Sequence, residues 1–191
     1  MHLEVAGDGL LEKVAVGLGL VPEPLIHVTF GPGQARATVA GVRLGVFEAL
    51  EAGEADAAEL AARIACSRAG TEALANCLVG AGLLDRKAGR YSNARATRTW
   101  LLPSSPKNLR DVVLFLGFCQ ELLVDLEEQV RSGEVVRLHD REHPAAFWNA
   151  YMGALGAFAK LAAREIIPKI KVKAPRRLLD VGGGHGLYSA A

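Results

Sequence analysis

The sequence predicts a mainly α fold: a winged-helix-like module with a small β-hairpin, a helical linker, and then the first strand of a Rossmann-like α/β domain. Apolar residues recur at spacings of three and four through most of the chain, which is typical of amphipathic helices. Two short apolar-bearing segments flank a polar, glycine-containing turn near residue 88, which favours a hairpin. A short apolar run ends in a glycine loop near residue 182, as at the opening of a doubly wound fold. We therefore divide the chain into an arm (1–33), the winged-helix-like module (34–102), the helical linker (103–174) and the incomplete start of the α/β domain (175–191).

The composition is that of an ordinary globular protein. Half of the 191 residues are hydrophobic and 23% are charged, so we expect a buried core and no extensive disorder. The formal net charge of +1 argues against a large basic surface for nucleic acid or an anionic membrane. Acidic residues precede the first apolar stretch, so we expect no signal peptide, and the run 112–119 is too short to span a bilayer. The cysteines are odd in number and widely spaced, which predicts free thiols in a reducing cytoplasm: Cys66, Cys77 and Cys119.

The first half of the chain predicts short helices separated by turn and capping signals. Residues 1 to about 21 predict a helical arm, and Gly31-Pro32-Gly33 predicts a turn before a helix over 34–50. Asp56 with Glu59 three residues later is a capping-box pattern that predicts the start of the next helix. Ser67 caps a third helix, whose expected buried face is Leu74, Cys77, Leu78 and Ala81.

The second half predicts two longer helices. Apolar residues at helical spacing over 109–130 predict one amphipathic helix that Ser132-Gly133 ends. Pro144 favours a new helix over about 145–167, because proline is preferred at helix starts. The expected apolar face of this helix holds Phe147, Tyr151, Leu155 and Phe158.

The motif that carries chemistry is Asp180-Val181-Gly182-Gly183-Gly184-His185-Gly186, directly after the apolar run Leu178-Leu179. Glycines allow a backbone to approach a ligand closely and to adopt positive φ. The dinucleotide fingerprint requires Gly-x-Gly-x-x-Gly or Ala, and Leu187 stands at its last position, which disfavours a dinucleotide. The motif instead resembles motif I of the class I S-adenosylmethionine-dependent methyltransferases.

Segments upstream, in the same order, resemble the N-terminal dimerisation module of small-molecule O-methyltransferases, the bacterial natural-product enzymes related to the caffeate-type plant enzymes. The resemblance covers roughly residues 20 to 191. It rests on 44–50 (LGVFEAL), 58–61 (AELA), 78–84 (LVGAGLL), 89–91 (GRY) and 147–152 (FWNAYM).

The resemblance implies a homodimer that transfers a methyl group from S-adenosylmethionine to a hydroxyl of a small aromatic or polyketide metabolite. It implies cofactor contacts from motif I, at Asp180, Gly182, Gly183, Gly184 and Gly186. It also implies an acceptor pocket formed by Phe147, Trp148, Tyr151 and Met152, although such residues at helical spacing are more often core. The family's ribose-binding acid and general base would lie beyond residue 191. We therefore expect these residues to be the N-terminal part of a longer enzyme and not competent for catalysis alone.

Other interpretations remain open. His139 and His143 have a metal-ligand spacing but stand in a polar stretch, which favours a solvated loop and no metal. A winged-helix DNA-binding regulator is disfavoured, because the third helix offers one cation, Arg68, offset by Glu72. Region 34–102 has nine Lys or Arg against seven Asp or Glu, a surplus of only two. A non-catalytic dimerisation partner is a further alternative, although an unpaired strand at 178–181 would be an exposed edge. We expect neither nucleic acid nor membrane as a partner.

Overall fold

The computed structural model describes residues 9–18, 20, 22–134, 137–169 and 177–190, and within them the chain is mainly helical with one two-stranded antiparallel sheet. The helices are α1 (Leu10–Gly17), α2 (Glu23–Arg43), α3 (Val46–Ala49), α4 (Ala57–Arg63), α5 (Arg68–Gly80), α6 (Arg95–Trp100), α7 (Arg110–Leu122), α8 (Leu126–Ser132) and α9 (Ala145–Ile166). The strands are β1 (Leu84–Lys87) and β2 (Arg90–Asn93). Short 3₁₀ turns cover Leu138–Asp140 and Ile167–Lys169.

The observed extent of α2 contradicts one predicted turn and changes the bounds of one predicted helix. The turn expected at Gly31-Pro32-Gly33 is wrong, because α2 continues through Pro32. Proline lacks an N–H, so the helix loses the bond to the carbonyl of residue 28. The Val28 side chain is 70% exposed, so this part of the helix lies where water can satisfy the carbonyl. The helix expected over 34–50 is divided instead at Gly45, whose φ of +72° turns the chain into α3.

The first-half helices pack into the main hydrophobic core. The local capping predictions are confirmed: the Asp56 carboxylate accepts from the backbone N–H groups of Ala58 and Glu59 at 2.8 and 2.9 Å, and Ser67 caps α5. The expected face of α5 is only partly right, since Leu78 is buried but Cys77 is exposed. The buried face is rotated toward Thr71 and Ala75. The core comprises Val42, Val46, Phe47, Leu50, Ala55, Ala57, Leu60, Ala75, Leu78, Leu84, Tyr91, Leu101 and Leu102.

The predicted hairpin is confirmed, with Leu84 paired to Asn93 and Lys87 to Arg90. Two backbone hydrogen bonds between Ala55 and Tyr91, of 3.0 and 2.7 Å, attach β2 to the loop before α4. The buried Asn93 amide donates to the Phe47 carbonyl at 2.8 Å. These bonds fix the hairpin against the helices, so the module is held by more than apolar packing.

Helix α7 of the linker packs against α9 on one side and against α2 of the module on another. The single helix expected over 109–130 is wrong, because a turn at residues 123–125 separates α7 from α8. The Gln129 side chain donates at 3.0 Å to the Leu122 carbonyl, which satisfies an acceptor freed at the end of α7. Helix α9 has the predicted extent, but its expected apolar face is only partly buried, since Phe147 is enclosed and Phe158 is 51% exposed.

The strand expected at Leu178–Val181 is not formed: residues 177–180 have no regular secondary structure, and Leu179 and Val181 are exposed. A strand requires a neighbour for its N–H and C=O groups, and the described strands β1 and β2 form a separate two-stranded sheet that does not include residues 178–181. The described part of the chain therefore presents the glycine loop without a sheet behind it. None of its helices combines the length and apolarity that crossing a membrane requires.

Candidate functional site

The glycine loop after Asp180 has an alternating backbone conformation. Gly182, Gly184 and Gly186 have φ of +71°, +53° and +65°, a left-handed region that residues with a Cβ rarely adopt. A Cβ added at Gly182 or Gly186 would meet no atom within 4 Å. The loop thus exposes a stretch of backbone with open space beside it, which is the geometry that a closely approaching ligand requires.

Asp180 organises the base of this loop. Its carboxylate accepts a hydrogen bond from the Ser189 hydroxyl and lies against the Cα of Gly183, where a Cβ would collide with it. The Gly186 N–H donates to the Gly183 carbonyl at 2.8 Å and closes the turn. A side chain at 183 would therefore force the exposed Asp180 carboxylate to move, independently of any ligand.

The loop lies against one side of α9. A Cβ built on Gly184 would lie 3.7 Å from Met152 Cε, and one built on Gly156 would lie 3.7 Å from Leu187 Cδ1. Residues 152 and 156 are four apart and so share a helix face. Of the four predicted pocket residues, Met152 is the one that the structure brings to the loop.

The other three predicted pocket residues pack into an aromatic cluster where α9 meets α7. Phe147 is 1% exposed and meets Phe115 and Phe118 of α7 edge-to-face, with ring centroids 5.6 and 5.4 Å apart. Tyr151 lies 5.3 Å from Phe115. Trp148 contacts Phe147 at 5.1 Å. These ring contacts hold α9 on α7, with Phe147 enclosed and Trp148 and Tyr151 half-buried.

The two histidines of the linker belong to the same cluster. The His143 ring stacks on Phe147 at 3.8 Å, and its Nε2 is 2.9 Å from the Leu138 carbonyl. The His139 ring stacks on Trp148 at 5.4 Å. In the part of the chain that the structure describes, no three His, Cys, Asp or Glu side chains are grouped as metal ligands. Stacking therefore accounts for both histidines.

A polar cavity of about 360 Å³ lies between the start of α7, the middle of α9 and the glycine loop. Its polar walls are Lys107, Asn108, Asp111, Lys160 and His185. The Asp111 carboxylate rests on the Cα of Gly153, so glycine at 153 allows α7 and α9 to approach closely here. The Leu187 N–H donates to His185 Nδ1 at 3.0 Å, which turns this ring within the loop.

The sequence did not single out the lysines, Asn108 or Asp111 as site residues. They lie far apart along the chain and meet only because α7 and α9 pack together, so no spacing could indicate them. His185 belongs to the glycine motif, and the structure places it in the wall of the cavity.

Comparisons with known proteins place the chain beside O-methyltransferases. Residues 35–103 match the family described as the O-methyltransferase dimerisation domain. The chain is 28% identical to 3-hydroxy-5-methyl-1-naphthoate 3-O-methyltransferase of Streptomyces sahachiroi, over 86% of this chain and 50% of that protein. It is 28% identical to acetylserotonin O-methyltransferase of Mus musculus, over 77% of this chain and 43% of that protein.

Solved structures give the same picture. The structure of PigF with SAH has a TM-score of 0.78 and 26% identity, covering 89% of this chain and 54% of PigF. Human N-acetylserotonin methyltransferase in complex with SAM shares the fold, with a TM-score of 0.73 at 22% identity over 98% of this chain and 56% of that one. The chain therefore spans about half the length of the relatives that it matches. These similarities confirm the resemblance to class I S-adenosylmethionine-dependent O-methyltransferases that the sequence predicts.

Proposed function

Starting from that resemblance, we propose that the chain works in a homodimeric S-adenosylmethionine-dependent O-methyltransferase that acts on a small hydroxylated aromatic metabolite. The observation that carries the proposal is the glycine loop, with left-handed glycines at 182, 184 and 186 beside Met152. The match of residues 35–103 to the dimerisation domain supports the same assignment, since it lies upstream of the loop as in such enzymes.

The loop residues fit a cofactor that lies along the backbone. Gly182, Gly184 and Gly186 leave space where side chains would otherwise stand, and Asp180 with Gly183 holds the turn in shape. We assign these five residues to cofactor binding. When bound, S-adenosylmethionine supplies a methyl group already activated by the sulfonium charge.

The chain's own residues would position the acceptor and exclude water. Met152 is an apolar side chain of α9 that lies against the loop, so it would pack against the acceptor or the reacting methyl. Phe147, Trp148 and Tyr151 would act through α9, by fixing where Met152 lies. Orientation of a hydroxyl in line with the methyl is the main contribution that such a site makes to rate. The naphthoate relative supports a flat aromatic hydroxy compound as acceptor.

Homodimerisation through the helical module and N-terminal arm is part of the proposal. Large apolar side chains lie exposed on the first two helices and beside them, which is unusual for a surface that stays in water. They are Leu10, Leu11, Val14, Leu18, Leu20, Leu25, Val28 and Phe30. We also propose that residues 34–102 act as a winged-helix-like module without reading DNA, and that the enzyme serves secondary metabolism in the cytoplasm.

Calorimetric titration of the full-length protein with S-adenosylhomocysteine tests the cofactor assignment. We expect Gly182→Ala to weaken binding by about tenfold or more, because a Cβ disfavours φ of +71° by roughly 1–2 kcal/mol and enters the ligand's space. Gly133→Ala is the matched control, since Gly133 has φ of +74° and open surroundings at the end of α8. It should leave binding within about twofold.

Two results would contradict the proposal. One is a wild-type protein that does not bind S-adenosylhomocysteine, which would redirect attention to a non-catalytic partner or a DNA-binding regulator. The other is a Gly182→Ala variant that binds as tightly as wild type, which would place the cofactor elsewhere.

A further inference from the structure

We infer that Leu187 is a positioning residue for methyl transfer. It packs into a notch of α9 at Gly156, where the helix has no side chain, and so determines where the glycine loop lies along the helix that bears Met152. The inference rests on the proposed function and deepens it, because Leu187 lies outside the residues assigned to the cofactor and the acceptor.

The glycine loop and α9 meet through two reciprocal contacts. Met152 of the helix reaches Gly184 of the loop, and Leu187 of the loop reaches Gly156 of the helix. In each contact the side chain ends 3.7 Å from where a Cβ on the glycine would lie. Residues 152 and 156 are about one helical turn apart, roughly 6 Å along the axis, and share one face. Two contacts at separate points and in opposite directions fix the loop along α9 as well as against it.

Leu187 is the large apolar side chain of its segment that the fold covers. It is half-buried, and Gly156 beside it is buried. It lines both the polar cavity of about 360 Å³ and an apolar cavity of about 490 Å³, which together form one cleft beside the loop. The other large apolar side chains of residues 177–190 are exposed: Leu178, Leu179, Val181 and Tyr188. Since burial of an apolar side chain is favourable, the contact at Gly156 stabilises this position of the loop.

The backbone of Leu187 is tied to the glycines of the loop. A glycine or alanine at this place in dinucleotide-binding folds allows close helix–strand packing, whereas leucine here projects toward α9. The Leu187 N–H donates to His185 Nδ1 at 3.0 Å, and the Gly186 N–H donates to the Gly183 carbonyl at 2.8 Å. A displacement of Leu187 would therefore move the segment assigned to the cofactor.

The position of the loop along α9 matters because methyl transfer requires alignment. The proposed function places the methyl donor on the loop and the acceptor against α9, so a shift of the loop changes the distance and the angle between them. A misplacement of about 1 Å can lower a rate by about 100-fold. Cofactor affinity depends instead on the internal shape of the loop, which Asp180 and Gly183 hold. Loss of the contact at Gly156 should therefore lower kcat and leave cofactor binding nearly unchanged.

The test is methyl transfer from S-adenosylmethionine to 3-hydroxy-2-naphthoate by the full-length protein, with S-adenosylhomocysteine affinity measured by calorimetry on the same samples. Gly156→Leu fills the notch, and Leu187→Ala removes the side chain that occupies it. Each should lower kcat by about 10- to 100-fold. Each should leave the Kd for S-adenosylhomocysteine and the KM for S-adenosylmethionine within about threefold.

Two conservative variants and one double variant are the controls. Gly156→Ala adds a Cβ at an ordinary van der Waals distance from Leu187, and Leu187→Met keeps an apolar chain of similar size, so both should retain kcat within about threefold. The double variant Gly156→Leu/Leu187→Ala supplies the side chain from the helix instead of the loop. It should return kcat to within about fivefold of wild type.

Amide exchange of the full-length protein without cofactor gives a readout that does not depend on activity. The peptide over 182–190 contains the Gly186 and Ala190 N–H groups, which are hydrogen-bonded within the loop. Its exchange should become at least about threefold faster in Gly156→Leu and in Leu187→Ala, and should stay unchanged in Gly156→Ala.

Unchanged kcat in both Gly156→Leu and Leu187→Ala would overturn the inference. So would a loss of S-adenosylhomocysteine affinity as large as the loss of kcat, which would assign Leu187 to cofactor binding. A double variant as slow as the single variants would refute the reciprocal contact. If the wild-type protein does not bind S-adenosylhomocysteine, the proposed function fails; faster exchange in the two variants would then still support the contact of Leu187 with α9, and unchanged exchange would refute it.

Discussion

Replacing Gly117 by alanine should destabilise the contact between α2 and α7, which joins the module to the linker. Gly117 is buried where these helices meet. A Cβ at this position would lie 2.8 Å from Val39 Cγ1 and 3.0 Å from Arg43 Nη2. The arginine is long and can move, but Val39 is 1% exposed and belongs to the core. The helices must therefore shift apart, or Val39 must leave its rotamer.

The magnitude follows from two opposing terms. Inserting a methyl group into a packed interior costs about 1–3 kcal/mol, whereas alanine in a helix is about 1 kcal/mol better than glycine. We expect a net loss of roughly 1 kcal/mol in the free energy of unfolding. In a Val39→Ala background the obstructing methyl is absent, so the same Gly117→Ala change should stabilise by up to about 1 kcal/mol. The double-mutant cycle should give a coupling of about 2 kcal/mol.

Urea unfolding at one fixed protein concentration measures all four proteins of the cycle. With an m-value of about 2 kcal/mol/M, Gly117→Ala should lower the midpoint by roughly 0.5 M. Gly33→Ala is the matched control: it lies in α2 with no atom within 4 Å of an added Cβ, so it should raise stability. If Gly117→Ala had the same sign with and without Val39, or stabilised as Gly33→Ala does, the close approach of α2 and α7 would be refuted.

Three further predictions concern the module and linker. Asn93→Ala should cost about 1–3 kcal/mol by calorimetric melting, since it leaves the buried Phe47 carbonyl without its donor, whereas the exposed Asn149→Ala should cost little. Hydrogen bonds from the backbone N–H groups of Glu59 and then Ala58, together with nearby arginines, lower the pKa of Asp56 below its ordinary 3.8. The Asp56 carboxylate therefore stabilises the fold above about pH 3.8, and this stabilisation is lost as the pH falls through the lower pKa of the folded state. The advantage of wild type over Asp56→Asn in urea resistance should therefore be full near pH ~6 and should shrink as the pH is lowered below about 4, and a constant difference would contradict this. Burial raises the pKa of the Cys119 thiol, whereas Cys77 is exposed, so dithiobis-nitrobenzoate should label Cys77 first. The Cys77→Ser change should abolish the fast phase of labelling, and Cys119→Ser should leave it in place.

Local signals in the sequence predicted the module well. The capping boundaries at Asp56 and Ser67 and the hairpin turn depend on residues within four positions of each other, and all are found. The predictions failed where contacts between residues distant in the sequence determine the local structure. Gly45 separates α2 from α3, and Phe47 just after it is buried among residues of other helices. Cys77 faces outward because the face of α5 that packs on α2 and α4 is centred on Thr71, Ala75 and Leu78.

The sequence pattern also predicts the wrong positions for two helix ends. Pro32 was read as part of a turn, yet α2 tolerates it on an exposed stretch. Apolar residues recur at helical spacing from α7 into α8 without interruption. The turn at residues 123–125 is not visible in the sequence, because Leu123 and Val124 are apolar although the structure exposes them. The spacing of apolar residues does not show whether a carbonyl at a helix end can accept a hydrogen bond from another donor. Here the Gln129 side chain donates to the Leu122 carbonyl at the end of α7.

The sequence predicts the glycine loop of the candidate site but not the cleft beside it. Motif I is contiguous, so the residues of the loop were identified directly from the sequence, and its left-handed glycines agree with that reading. The cleft is assembled from the start of α7, the middle of α9 and residue 185, and only the fold brings these together. The resemblance predicts that the segment at 147–152 contributes to the acceptor pocket. Of its residues the structure brings Met152 to the glycine loop, and this depends on how α9 packs, which no spacing in the sequence indicates.

The most direct test of the central claim is transfer of a labelled methyl group from S-adenosylmethionine to 3-hydroxy-2-naphthoate by the full-length protein. The account predicts label in the acceptor as an aryl methyl ether, none in 2-naphthoate, which lacks the hydroxyl, and a large loss of rate in Gly182→Ala but not in Gly133→Ala. Absence of label in 3-hydroxy-2-naphthoate, from a protein that binds both S-adenosylhomocysteine and this acceptor, would contradict methyl transfer to a hydroxyl of this substrate class.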